Sequence, residues 1–161
     1  MSNPIIKHAR IDNRLVHGQG ASWVGAVGAN LVIVVDDDVA SSPIEQSVMK
    51  IGADSAGFGI RFFTIQKAIA VIGKASARQH LFITTKTPSA MRALVEGGVP
   101  IKEVNVGNMH PSDGKHVFYE QHVFVDQDDL DDLKAISDKG VDVYIQLKPV
   151  DRKYTNLDFS K

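Results

Sequence analysis

Short apolar runs rich in Val and Ile recur along this chain, separated by stretches of helical period, and that alternation most constrains what it can fold into. Runs at residues 5–9, 31–35, 60–65, 80–84, 103–106, 122–125 and 141–147 read as seven strands. Near-continuous apolar character marks strands covered on both faces, so repeated strand-helix units and a mainly parallel sheet are expected. Helices are expected at 18–28, 43–51 and 66–72. Thr87-Pro88 ahead of Met91, Leu94 and Val95 reads as an N-cap followed by proline in the first helical position, with Gly97-Gly98 as the stop. The acidic run 126–132 precedes Leu130, Leu133 and Ile136 and closes at Gly140, which assigns its carboxylates to capping and the helix dipole. The polar segment 107–115 reads as a loop.

Length and composition narrow the function. With 161 residues, 43% apolar and 23% charged, the chain fits one soluble α/β domain, or at most two very small ones. Eighteen basic residues against nineteen acidic give a formal charge of -1, so there is no global positive field for nucleic acid or anionic lipid. The lack of cysteine excludes a disulfide scaffold, a thiolate nucleophile, a Cys-ligated zinc and an iron-sulfur cluster, and suits a reducing cytoplasm. No signal-like core opens the chain, and no window approaches the roughly 20 apolar residues of a membrane span. Direct membrane insertion is therefore not expected, and membrane contact falls to partners.

Chemistry concentrates after the first strand, in Arg10-Ile11-Asp12-Asn13-Arg14-Leu15-Val16-His17-Gly18-Gln19. Loops at strand C-terminal ends host ligands in open α/β sheets. Two guanidiniums, a carboxylate and an imidazole at the start of a helix suit a phosphoryl group, which needs forked donors and free backbone N–H groups. His17 would attack phosphorus as a neutral ring, a state that the neighbouring Arg10 and Arg14 favour by lowering its pKa. After transfer the same arginines, with the amides of Gly18 and Gln19, would neutralise the phosphohistidine. Asp12 is expected to hold an arginine and organise the loop. A blander account also fits these residue types: His17 as a satisfied surface residue, and Arg10 and Arg14 as ion-pair partners of Asp12 and Asp36.

Other features carry less. The triplet Asp36, Asp37 and Asp38 admits a magnesium-holding, receiver-like signalling or phosphate-sensing module, but turn and capping carboxylates ahead of Ser41-Ser42-Pro43 fit it better. Thr84, Thr85 and Lys86 stand at a strand end where they would line the edge of a phosphate cleft. Trp23 belongs in the core or at the rim of a docking surface. His8, His80, His110, His116 and His122 show no metal-site spacing, so no metal site or cofactor is expected; Gly18-Gln-Gly20 lacks the third glycine of a dinucleotide fingerprint.

The segment from Arg10 to Gln19 resembles the active-site signature of the IIB subunits of the mannose-type phosphotransferase system, Arg-Ile-Asp-Asp/Asn-Arg-Leu-Ile/Val-His-Gly-Gln. Val32-Ile-Val-Val-Asp-Asp-Asp-Val-Ala40 and Val104-Asn-Val-Gly107 extend the resemblance along the chain. It implies a single IIB domain over residues 1–161, with an open, twisted, mainly parallel sheet of about seven strands and helices on both faces. It also implies a cytoplasmic phosphotransferase whose His17 takes a phosphoryl group from a phosphorylated IIA protein and passes it to a sugar delivered by the membrane subunits IIC and IID. Arg10 and Arg14 would contact the phosphate. Val106-Gly-Asn-Met-His-Pro-Ser-Asp-Gly-Lys-His116 departs from the Val-Gly-Gly-Met of mannose transporters and is similar to the N-acetylgalactosamine or galactosamine branch.

Overall fold

The computed structural model describes residues 5–16 and 19–160, with only the helical backbone of Gln19 and Gly20. Its elements run β1 (Ile5–Ile11), α1 (Gln19–Ala26), β2 (Leu31–Val35), α2 (Pro43–Ala56), β3 (Gly59–Phe63), α3 (Ile65–Val71) and β4 (His80–Thr85). Then follow α4 (Pro88–Glu96), β5 (Glu103–Val106), β6 (His116–Phe118), β7 (Glu120–Val125), α5 (Gln127–Asp138) and β8 (Asp142–Ile145).

Six strands form one parallel sheet in the order β3-β2-β4-β1-β5-β8. Side chains alternate across each strand, and that alternation assigns the helices to faces. Leu31, Ile33 and Val35 of β2 pack with Ala68, Met91, Leu94 and Leu133 of α3, α4 and α5. Val32 and Val34 pack with Trp23, Val24, Met49 and Ala53 of α1 and α2. Helices thus cover both faces of the sheet. The caps follow their residue types: Ser42 accepts from the Glu45 N–H with Pro43 beside it, Thr87 from Ala90 with Pro88, and Asp126 forms a capping box with Asp129.

The strand expected at 122–125 lies within β7, which leaves the sheet and pairs antiparallel with β6 in a two-stranded ribbon. One edge of the ribbon reaches the sheet end through a bridge between Met109 and Val123. Its tight turn is made by Tyr119 at φ 65°, a conformation that the absence of glycine or asparagine there does not announce.

Strand order also fixes where a ligand belongs. The chain leaves β1 toward β2, passing β4 on the α1 face, whereas it leaves β4 toward β5, passing β1 on the opposite face. The two connections diverge at the C-terminal ends of β1 and β4, the crevice position of open α/β sheets.

Candidate functional site

The period of a strand sets His8, Arg10 and Asp12 on one side of the chain, and all three are buried, at 4%, 0% and 0% exposure. Burying a guanidinium demands that its donors be satisfied. The Arg10 Nε donates to Asp12 Oδ2 at 3.2 Å, and one terminal nitrogen lies 3.1 Å from the same oxygen and 3.1 Å from the Leu147 carbonyl. The other donates to Asn105 Oδ1 and, at 3.2 Å, to the Gln146 carbonyl. Four of its N–H groups thus make hydrogen bonds, the ion pair with Asp12 adds to them, and the cation also lies 5.5 Å from the Trp23 ring. Gly107 makes room for it, since a Cβ there would sit 2.2 Å from a guanidinium nitrogen. Burial lowers the Arg10 pKa from its ordinary value, with Asp12 pulling the other way.

His8 stacks on Trp23 at 4.5 Å and on Phe82 at 5.1 Å, with Nε2 3.2 Å from Asn105 Oδ1. Burial, reinforced by Arg10 and Lys153 and opposed by the Asn105 hydrogen bond, pushes its pKa down to about 4.

Asp12 carries this buried anchor into the loop. Its Oδ1 accepts the Arg14 N–H at 2.9 Å, its main-chain carbonyl accepts the Leu15 N–H at 2.8 Å, and its Oδ2 takes the Asn108 amide at 3.4 Å. Backbone bonds from Asp12 to Thr85 and from Asn13 to Asn108 stitch the turn to the ends of β4 and β5. Leu15 holds φ 57° while buried against the α1–α2 cluster, so packing maintains a left-handed conformation unfavourable for leucine. The loop presents Arg14, which is exposed, at a cleft of about 410 Å³ whose walls include Lys86, Val39, Ile44, Val48 and Met49. Beside it both amide atoms of Asn13 are buried without a hydrogen-bond partner among the described residues, as is the Thr84 hydroxyl.

The expected site residues are therefore placed differently from one another. His17 and Gly18 lie outside the described residues, and Gln19 opens α1 immediately after them. Arg14 reaches solvent, whereas Arg10, expected at the phosphate, is wholly buried and bonded to Asp12, Asn105 and two main-chain carbonyls. Trp23 belongs to the core at 5% exposure, its indole N–H donating to the Leu147 carbonyl at 2.9 Å. In the acidic triplet, Asp36 accepts from the Val39 N–H and lies 3.8 Å from the Lys86 ammonium, while Asp37 accepts from the Ile65 N–H at the start of α3. Turn and cap duties thus absorb these two carboxylates. Among the described residues no group of three His, Asp or Glu side chains is arranged to hold a metal ion. His110 and His116 are exposed, whereas His122 is half-buried with a lowered pKa, chiefly from burial.

Sequence reasoning overlooked Asn105 and paired His8 with nothing. The available signal was polar residues on strands otherwise apolar: Asn105 between Val104 and Val106, and His8 two residues before Arg10.

Comparison with known proteins places this geometry. The family described as PTS system sorbose subfamily IIB component matches residues 6–159. The N-acetylgalactosamine-specific phosphotransferase enzyme IIB component 1 of Escherichia coli is 54% identical over 154 residues, spanning 95% of this chain and 97% of that one. The crystal structure of the E. coli N-acetylgalactosamine-specific IIB component 1 superposes with a TM-score of 0.90 at 53% identity, over 93% of this chain and 98% of that one. That of an N-acetyl-galactosamine IIB component from Streptococcus pyogenes gives 0.88 at 40% identity, over 94% and 93%. A parallel sheet with its polar loop braced at the β1 end thus finds its relatives, and this chain belongs to the IIB components of the mannose-type phosphotransferase system, which accept a phosphoryl group from a IIA protein and transfer it to a sugar.

Proposed function

We propose that His17 is the phosphoryl carrier and that Arg14, with the amides of Gly18 and Gln19, binds the phosphate. The observation that carries this reading is the fixed approach to position 17: the Arg10–Asp12 pair holds the Arg14 N–H, and α1 begins at Gln19. A helix N-terminus and a forked cation are what a phosphoryl group requires. Arg10 acts from below as a positioning residue, because its wholly buried fork is committed to Asp12, Asn105 and the Gln146 and Leu147 carbonyls. Asp12 organises the loop, and Asn13 supplies a further amide donor beside it.

The step is an in-line displacement. A neutral imidazole nitrogen of His17 forms its bond to phosphorus as the bond to the donor histidine of IIA breaks, and Arg14 screens the charge on the equatorial oxygens. In the second step a sugar hydroxyl attacks phosphorus as the bond from phosphorus to His17 breaks, and the proton that the hydroxyl loses balances the one that the released imidazole takes up. The chain works as one IIB domain in the cytoplasm, drawn to the inner membrane by IIC and IID. The sugar is N-acetylgalactosamine or galactosamine, a reading supported by the 54% identical relative named for N-acetylgalactosamine.

The test is labelling with isotopic phosphoenolpyruvate, the general phosphotransferase proteins and a IIA partner. Acid-labile, alkali-stable label on His17, absent from His17→Gln, is expected. Label on any other residue, or an alkali-labile acyl phosphate, overturns the assignment.

A further inference from the structure

Neither Asn105 nor His8 reaches the loop surface, yet both close onto its anchor. We infer that Asn105 is a positioning residue for phosphoryl transfer, acting through Arg10 and Asp12 on the backbone ahead of position 17; this rests on that loop being the phosphoryl-carrying one.

The argument begins with Arg10, which can only donate. Arg10 and Asn105 are register partners on β1 and β5, so the amide atom facing the guanidinium must be the oxygen. That choice turns the Asn105 Nδ2 to the Gln146 carbonyl, at 3.0 Å. It also settles the tautomer of His8: an amide oxygen cannot donate, so Nε2, 3.2 Å away, carries the proton. The low pKa that burial gives His8 keeps that ring neutral and agrees with this arrangement. One donor-only group therefore orders three side chains.

Asn105 is wholly buried, and among the described residues its side chain bonds Arg10, His8 and the Gln146 carbonyl. Its neighbours Val104 and Val106 supply the apolar core on the opposite face. An amide here gives the guanidinium an acceptor without a second negative charge, so the whole ion-pair interaction stays with Asp12, the residue that holds the Arg14 N–H. An aspartate at 105 would divide the cation between two carboxylates, and a leucine would strand one donor on Arg10 and one on His8.

The test compares Asn105→Asp and Asn105→Leu with the wild-type chain, reading the Arg14 amide by ¹H–¹⁵N NMR and transfer from phosphorylated IIA by rapid quench. In both variants the Arg14 amide should shift and its protection from solvent exchange should fall about tenfold or more, with the rest of the spectrum folded. The maximal transfer rate should fall about tenfold or more while the half-saturating IIA concentration stays within about twofold. His8→Gln, which can still donate to Asn105 Oδ1, should transfer at close to the wild-type rate; if Asn105→Leu does not fold, His8→Leu breaks the same hub and carries the test. An unmoved Arg14 amide with unchanged transfer in the folded variants overturns the inference, as does a loss that appears only in half-saturation. If the amide shifts but the wild-type chain takes no phosphate on His17, the functional reading fails and the coupling stands.

Discussion

Arg10 and Asp12 form an ion pair with no solvent exposure on either side chain, 3.1 Å from nitrogen to oxygen, directly beneath the loop that carries Arg14. Removing one partner of such a pair leaves a buried charge uncompensated, which costs about 3–5 kcal/mol. Arg10→Met should therefore unfold at markedly lower urea, a loss of that order. A free energy within about 0.5 kcal/mol of wild type would contradict the sealed geometry.

Arg14→Lys keeps the charge and loses the fork. Because Arg14 is exposed, stability should stay within about 0.5 kcal/mol, while transfer to and from position 17 slows by about tenfold. Rapid-quench rates equal to wild type would remove Arg14 from the phosphate.

His8 links folding to pH. In the fold it takes a proton only near pH 4, whereas the unfolded chain does so near 6.5. Between those values the unfolded chain binds more protons, so this residue makes stability rise with pH and weakens the fold by up to about 3 kcal/mol on the acid side. Urea titrations from pH 4 to 7 should show a steeper pH dependence for wild type than for His8→Gln. Equal slopes would mean that the ring titrates alike in the folded and unfolded chains, against its burial.

Asn13 buries an amide without a partner among the described residues, so truncation removes a desolvated group and breaks no hydrogen bond seen here. Asn13→Ala should leave the melting temperature unchanged or raise stability by up to about 1 kcal/mol while slowing phosphoryl transfer. A variant that melts lower and transfers normally would make Asn13 a structural residue.

Ile44, Val48 and Ile51 lie at helical spacing along one side of α2, at 80%, 53% and 69% exposure, and the first two border the Arg14 cleft. Ile44→Ser should fold normally, and raise the half-saturating concentration of phosphorylated IIA several-fold with the maximal rate intact. A change in maximal rate alone would place this side chain in the chemistry instead of the docking.

Much of the fold was legible because its signals are local. The apolar runs located the strands of the sheet, and Thr87-Pro88 and Asp126 marked their helix starts. The ribbon was not legible, since its turn depends on a left-handed Tyr119 that only the packed structure explains. The loop residues were conspicuous in the sequence, but the fate of Arg10 was not. Two of its acceptors are main-chain carbonyls 136 and 137 residues away, and no side-chain pattern advertises a carbonyl. For the same reason Trp23 joined the core: its N–H finds the Leu147 carbonyl, which composition cannot reveal.

The six main strands run the same way, so their C-terminal ends form one rim, and the Arg14 loop stands near the middle of it. Two visiting proteins large enough to cover that rim exclude each other. A ping-pong cycle is then expected, in which the donor departs before the acceptor arrives, and double-reciprocal initial-rate plots at varied donor should run parallel.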